Sequence, residues 1–311
     1  MQQLQRLIME KNTCFSAEFA QFLQSLELIN TKKIKLIIHV GTPKTGSTSL
    51  QAYLGKKQHK LRGKGILYPH NLEKISNPTA PKHQWFEKNL VTTHIRYLLE
   101  NFKNIASQIK HDTHTIILSS EGIYNYWWDF PDQSKQVLSQ LSSFFDTQVW
   151  VWFRDPLEFI ESYSKQCVRN PRVEGNPCYG QDLSFSQMLD IEWFSRHLNY
   201  QGFVNDCQEV FGVNNVSAFE YQHDVVQQAI QKLGLATPYD NPTARLNDSL
   251  HSTSIELLRV LNQHNLQAKD KGSVMPHLRK IDEVLRRYDG EAIIDGESRD
   301  KVMKICKPIV F

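Results

Sequence analysis

Short apolar runs alternate with longer stretches of helical periodicity along the first three quarters of the chain. The run "KLIIHV", Lys35 to Val40, is β-branched, apolar on both alternations and closed by glycine, which predicts a strand covered on both faces. "THTIILSS" (Thr113 to Ser120) and "TQVWVWF" (Thr147 to Phe153) repeat the pattern, and "NNVSAFEY" offers a further strand. Between them, Ser47 to Leu61, "HIRYLLENFKNIASQIK", "SKQVLSQLSSFF", "LEFIESYSKQCVRN" and "VVQQAIQKLGL" carry apolar residues at helical spacing.

This alternation predicts an α/β fold in three layers, α/β/α, with a central parallel sheet and right-handed crossovers. Ligands of such sheets sit beyond the carboxyl ends of the strands, so the segments after Val40, Ser120 and Phe153 are expected at one rim. From Thr243 onward the pattern is helical ("STSIELLRVLNQHN", "MPHLRKIDEVLRRY"), with no Gly-, Ser- or Pro-rich linker before it. The expected organisation is an N-terminal helical extension over residues 1–30 and a single domain over 31–311 with a helical C-terminal portion.

At 311 residues the chain can bury a substantial core, and 40% hydrophobic with 22% charged residues is the composition of a globular protein. A net charge of +3 is too mild for a concentrated nucleic-acid face, so no nucleic-acid partner is expected. No stretch reaches the ~18 apolar residues of a membrane span, and the N-terminus lacks the apolar core of a signal peptide. A cytoplasmic protein is expected. Five cysteines, never spaced as C-x-x-C, give neither a disulfide framework nor a zinc site, and no metal ligands are assigned.

Candidate chemistry begins at "HVGTPKTGSTSL". Gly41 and Gly46 have the spacing of a phosphate loop, but the residue after Gly46 is Ser47, and Lys44 lies two positions before Gly46. A glycine turn opening a helix presents amides and the positive end of the helix dipole, which suits an oxyanion. Lys44 adds a full charge, while Thr45, Ser47, Thr48 and Ser49 add hydroxyls. The plain alternative is a strand-to-helix turn with a capping serine.

In "FRDPLEFIESYS", Arg154 ends a strand and Ser162 follows eight positions later in the helix that "DP" opens. Such an arginine and serine can share a phosphate; the plain alternative is Arg154 paired with Asp155 or Glu158 on the surface.

The two segments together resemble the sulfotransferases that use 3′-phosphoadenosine 5′-phosphosulfate (PAPS). "TPKTGSTSLQAYL" is similar to their 5′-phosphosulfate loop, with the lysine ahead of the loop glycine, and strand-"FRDPLEFIESYSKQ" to their 3′-phosphate motif. The resemblance covers Ile34 to about Asn170, and more loosely Tyr200 to Leu235. It implies that Lys44, Thr45, Gly46, Ser47, Thr48 and Ser49 hold the 5′ end of the donor, and Arg154 and Ser162 the 3′ end. PAPS is then the donor and 3′,5′-adenosine bisphosphate the product. Where cytosolic members carry a glycine-rich basic segment for the adenine side, this chain has "ARLNDSLHSTS".

Sulfuryl transfer builds negative charge on the leaving oxygen, which Lys44 is suited to stabilise without a metal. Glu121, directly after the strand "IILSS", is the candidate base; glycan-modifying members of the family use a glutamate in roughly this region. Its alternatives are a capping or ion-paired role, with His83 and His94 as other candidate bases. "YNYWWDF" (Tyr124 to Phe130) offers rings for a sugar or phenol acceptor, or simply core packing. The expected activity is sulfuryl transfer to a hydroxyl, most simply of a glycan. The competing classes are a phosphate-loop kinase and an inactive nucleotide-binding interaction module.

Overall fold

The computed structural model describes residues 16–26, 34–70, 82–222, 224–235, 250–285 and 296–306. They belong to two compact units: the first takes Met1–Phe153, Phe203–Tyr239 and Phe311, the second Arg154–Gly202 and Asp240–Val310.

The first unit opens with a helix over residues 16–26 (α1). It continues with β1 (Lys35–Gly41), α2 (Ser47–Lys56), α3 (Gln58–Arg62), β2 (Ile66–Leu67), α4 (Gln84–Thr92) and α5 (Ile95–Gln108). Then come β3 (Thr115–Ser119), α6 (Gly122–Tyr126), α7 (Asp132–Phe144) and β4 (Asp146–Phe153). The second unit's first stretch holds α8 (Pro156–Arg169), α9 (Phe185–Leu189) and α10 (Glu192–Ser195). Helix α11 (Tyr200–Phe211) begins in that stretch and ends in the first unit, which adds β5 (Val216–Glu220) and α12 (Val225–Lys232). The C-terminal elements α13 (Ser252–Leu261), α14 (Ala268–Leu285) and α15 (Gly296–Ile305) belong to the second unit.

All five strands form one parallel sheet in the order β2-β3-β1-β4-β5. The chain is α/β, and its parallel sheet and many helices are compatible with three layers. β1 lies at the centre, Ile37 pairing with Ile117 on one side and Gln148 on the other. Its apolar run is explained by that position: Leu36, Ile37, Ile38 and Val40 are all buried, as are Ile116 to Leu118 of β3 and Val149 to Phe153 of β4. A strand between two others with both faces covered leaves no position for a solvent-facing polar residue.

The four strands expected from sequence are present; β2 is new, because two residues of "GILYP" carry too little periodicity to stand out. The single helix expected over Ser47 to Leu61 is divided at Lys57 into α2 and α3. In the second unit α14 starts well before the expected Met275 and runs through Pro276. Of the expected N-terminal extension, 16–26 are described, with Phe19 buried and its ring 5.2 Å from that of Phe102; the rest of 1–30 lies outside the described residues. No described helix is long and apolar enough to cross a membrane. Cys167, Cys178, Cys207 and Cys306 are free thiols, and Cys14 lies outside the described residues.

Candidate active site

The segment after β1 turns directly into α2. Thr42 anchors it by donating from Oγ1 to the Trp152 carbonyl of β4 at 2.8 Å, and Thr45 Oγ1 donates to the Thr42 carbonyl at 2.8 Å. The hydroxyl of Thr45 therefore serves the loop's own shape. Lys44 adopts a left-handed backbone with φ of 69°, unusual for a residue with a side chain, and Gly46 caps α2 with φ of 76°. A Cβ at Gly46 would sit 3.0 Å from Val225 of α12, so both conformation and space require glycine there.

No side chain caps α2, so the capping-serine alternative does not describe this turn. The amides of Ser49 and Leu50 donate to the Gly46 carbonyl, at 2.9 and 3.1 Å. Among the amides expected to point into the loop, that of Ser49 is thus committed to the first helical turn. Ser47 is different. Its Oγ is buried and has no hydrogen-bond partner. A dry hydroxyl without a partner costs about 1–3 kcal/mol, so it marks a place where a polar guest would be gained at little expense.

Gly41 lies between Ser47 and Glu121: a Cβ there would overlap Ser47 Oγ and stand 3.3 Å from Glu121 Cγ. The expected base is therefore packed against the opening residue of the loop. Glu121 precedes α6 with helical backbone angles and makes no capping hydrogen bond with its side chain. Burial raises its pKa, and the charges of Lys82 and Lys44 pull it back. The charge of Lys44 is thus felt at the Glu121 carboxyl. The charge of Lys82 acts on the same carboxyl.

The two histidine alternatives differ in their surroundings. His83 is buried, accepts from the Ser119 amide through Nδ1 at 2.9 Å and bonds through Nε2 to the Pro69 carbonyl at 3.1 Å. Both ring nitrogens are committed, and burial lowers its pKa to about 4. His94 is an exposed residue at the start of α5. His39, which no motif marks, has its Nδ1 2.8 Å from Ser119 Oγ, and that oxygen accepts from Gln51 Nε2 at 3.1 Å. Burial lowers the His39 pKa to about 3, so this network beneath the loop is neutral.

In the aromatic stretch, Tyr124, Trp127 and Phe130 are buried; Tyr124 and Trp127 pack against Phe203, and Trp127 against Phe130. Core packing explains them. Tyr126 and Trp128 keep partial exposure.

The Arg154 and Ser162 motif belongs to the second unit. Asp155 caps α8, accepting from the amides of Leu157 and Glu158 at 3.0 Å, and Pro156 occupies the first turn. Glu158 and Ser162, four residues apart, lie along one face of α8, and Arg154 precedes the cap of that helix. Arg154 donates through Nε to Glu158 Oε2 at 2.7 Å, and its Nη2 is 2.7 Å from the same oxygen. The surface pair that the sequence offered as an alternative is therefore formed. The Arg154 carbonyl accepts from Tyr200 Oη at 3.2 Å, which fixes the backbone at the head of the helix.

No protein-family model matches the chain, and no curated protein is detectably similar to it.

Proposed function

We propose that the protein is a PAPS-dependent sulfotransferase that transfers a sulfuryl group to an acceptor hydroxyl, with a carbohydrate as the acceptor class. The observation that carries the reading is the buried, partnerless Ser47 hydroxyl at the foot of a loop whose Lys44 is held left-handed, beside the Glu121 carboxyl. A loop that keeps a donor dry, a cation at its crest and a carboxylate at its edge has the parts for anion binding and proton removal together. The finer architecture belongs to the same proposal: a three-layer α/β/α fold with a P-loop-like phosphosulfate loop, in a cytoplasmic enzyme whose free thiols suit a reducing compartment.

Glu121, as carboxylate, takes the proton of the acceptor hydroxyl while the acceptor oxygen forms its bond to sulfur. The bond between sulfur and the bridging oxygen breaks, and the electron pair stays on the phosphate of the departing 3′,5′-adenosine bisphosphate. Lys44 stabilises that charge. Thr45, Gly46, Ser47, Thr48 and Ser49 form the 5′ loop, and Thr45 contributes through loop shape because its hydroxyl is engaged. Arg154 and Ser162 take the 3′-phosphate, which replaces Glu158 as the partner of the guanidinium. Pairing of this half-buried arginine with an exposed glutamate is worth on the order of 1 kcal/mol or less, little enough for a phosphate to displace.

Thermal denaturation with 3′,5′-adenosine bisphosphate, compared with ATP plus magnesium, tests the donor. Stabilisation by the bisphosphate is expected; stabilisation by ATP alone would return the chain to the kinase class. Transfer of labelled sulfate from PAPS to a panel of glycans and phenols tests the acceptor, and stabilisation without any transfer would leave a nucleotide-binding module.

A further inference from the structure

Glu87 lies on α4, away from every motif that the sequence offers, and its side chain is buried. Its carboxyl oxygen Oε2 accepts a short hydrogen bond from Ser120 Oγ. The carboxyl also lies against Gly122, where a Cβ would overlap Glu87 Cγ and come within 2.6 Å of Oε1. Ser120 and Gly122 are the two neighbours of Glu121 in sequence. One buried carboxyl therefore grips the turn on both sides of the candidate base, and helices α4 and α6 pack together around it.

We propose that Glu87 is a positioning residue that braces the Ser120–Glu121–Gly122 turn and so fixes the carboxyl of Glu121 beside the loop glycine Gly41. The inference rests on the sulfotransferase reading for what Glu121 does, and on the geometry alone for how Glu121 is held.

A buried brace is cheapest when neutral. Burial pushes the Glu87 carboxyl up to about 8, against the Ser120 hydrogen bond and the charges of Lys88 and Lys82. Burial raises the pKa of Tyr126, and the charges of Glu87 and Asp129 add to the rise. Near neutrality Glu87 is therefore largely a carboxylic acid, able to accept from Ser120 and to donate its own proton. Ionisation at higher pH leaves the hold on Ser120 in place, because the hydroxyl donates to the carboxyl and that bond favours the anion. The free room at Gly122 belongs to this arrangement, because any side chain there would expel the carboxyl.

The test compares Glu87→Gln and Glu87→Ala with the parent in two measurements. In the first, transfer from PAPS is followed against pH. Glu87→Gln is expected to keep turnover near the parent's across the range, and Glu87→Ala to lose about tenfold or more in kcat with donor KM little changed, as befits a displaced base. In the second, the carboxyl resonances of glutamate-labelled protein are titrated, with Glu121 assigned through Glu121→Gln. The Glu121 titration is expected to shift in Glu87→Ala and to be retained in Glu87→Gln. A Glu121 titration unchanged in Glu87→Ala overturns the proposal, as does an undiminished kcat in that variant. If no variant and no parent transfers sulfate, the sulfotransferase reading fails, and the resonance titration still decides whether Glu87 holds Glu121.

Discussion

Gly41 and Ser47 occupy complementary space: the side chain that Gly41 lacks would stand where the Ser47 hydroxyl oxygen is. Only glycine at the end of β1 allows that buried hydroxyl to face the loop. Gly41→Ala is expected to turn Ser47 aside and weaken bisphosphate binding by about tenfold, the loss of one hydrogen bond to a charged group. Calorimetric titration checks this, with circular dichroism confirming that the variant folds. Undiminished affinity in a folded variant removes Ser47 from the site.

Lys44 and Arg154 are assigned different work, so their variants should differ in kind. Lys44→Ala is expected to reduce kcat by on the order of 100-fold or more while bisphosphate affinity falls only a few-fold, since its charge is needed most at the leaving oxygen. Arg154→Ala is expected to weaken bisphosphate binding by about 2 kcal/mol, the scale of a charge-assisted phosphate contact. Steady-state kinetics beside equilibrium binding separates the two, and identical profiles would contradict the assignment.

Glu121 acts as a base only when ionised, and burial raises its pKa. Turnover is therefore expected to rise with pH through a midpoint above the ordinary carboxylate range, and Glu121→Gln to abolish that limb with a loss of about 100-fold or more. A pH–rate profile of both proteins decides it. Retention of the rising limb in the glutamine variant would assign the proton to another group.

The neutral histidines under the loop set the acid limit of the fold. Burial lowers His39 from 6.5 to about 3 and His83 from 6.5 to about 4, so the native state binds fewer protons than the unfolded chain in that interval. Their contribution is complete above pH 6.5 and is lost as pH falls through the folded values. Denaturant unfolding as a function of pH should show stability declining on acidification. His83→Gln, which can still accept from Ser119 and donate to Pro69, should flatten that decline. An equally steep decline in the variant would place the acid sensitivity elsewhere.

How far the sequence was legible depends on the range over which each residue's partners act. β1, β3 and β4 were readable because burial on both faces forces an apolar run that is visible locally, and the cap of α8 was readable because Asp155, Pro156 and the amides they serve are adjacent. The loop was recognisable from Gly41, Lys44 and Gly46, yet the engagement of Thr45 and the isolation of Ser47 were not, since one depends on Thr42 and the other on the absence of any partner. His83 looked like a candidate base because nothing local showed that Ser119 and Pro69 bind both of its nitrogens. Glu87 was invisible for the same reason: a glutamate in "HQWFEKNL" resembles any solvated helix residue until the fold lays it against Ser120 and Gly122.

The placement of β1 in the middle of an all-parallel sheet also governs how the chain reaches this state. Its partners Thr115–Ser119 and Asp146–Phe153 lie far downstream, and no hairpin joins any two of the five strands. During synthesis the central strand therefore leaves the ribosome well before either neighbour exists, with both edges open. Slow, non-local pairing of this type exposes adhesive surface for longer, and chaperone occupancy of the nascent chain is expected to concentrate on the span between β1 and the completion of β4.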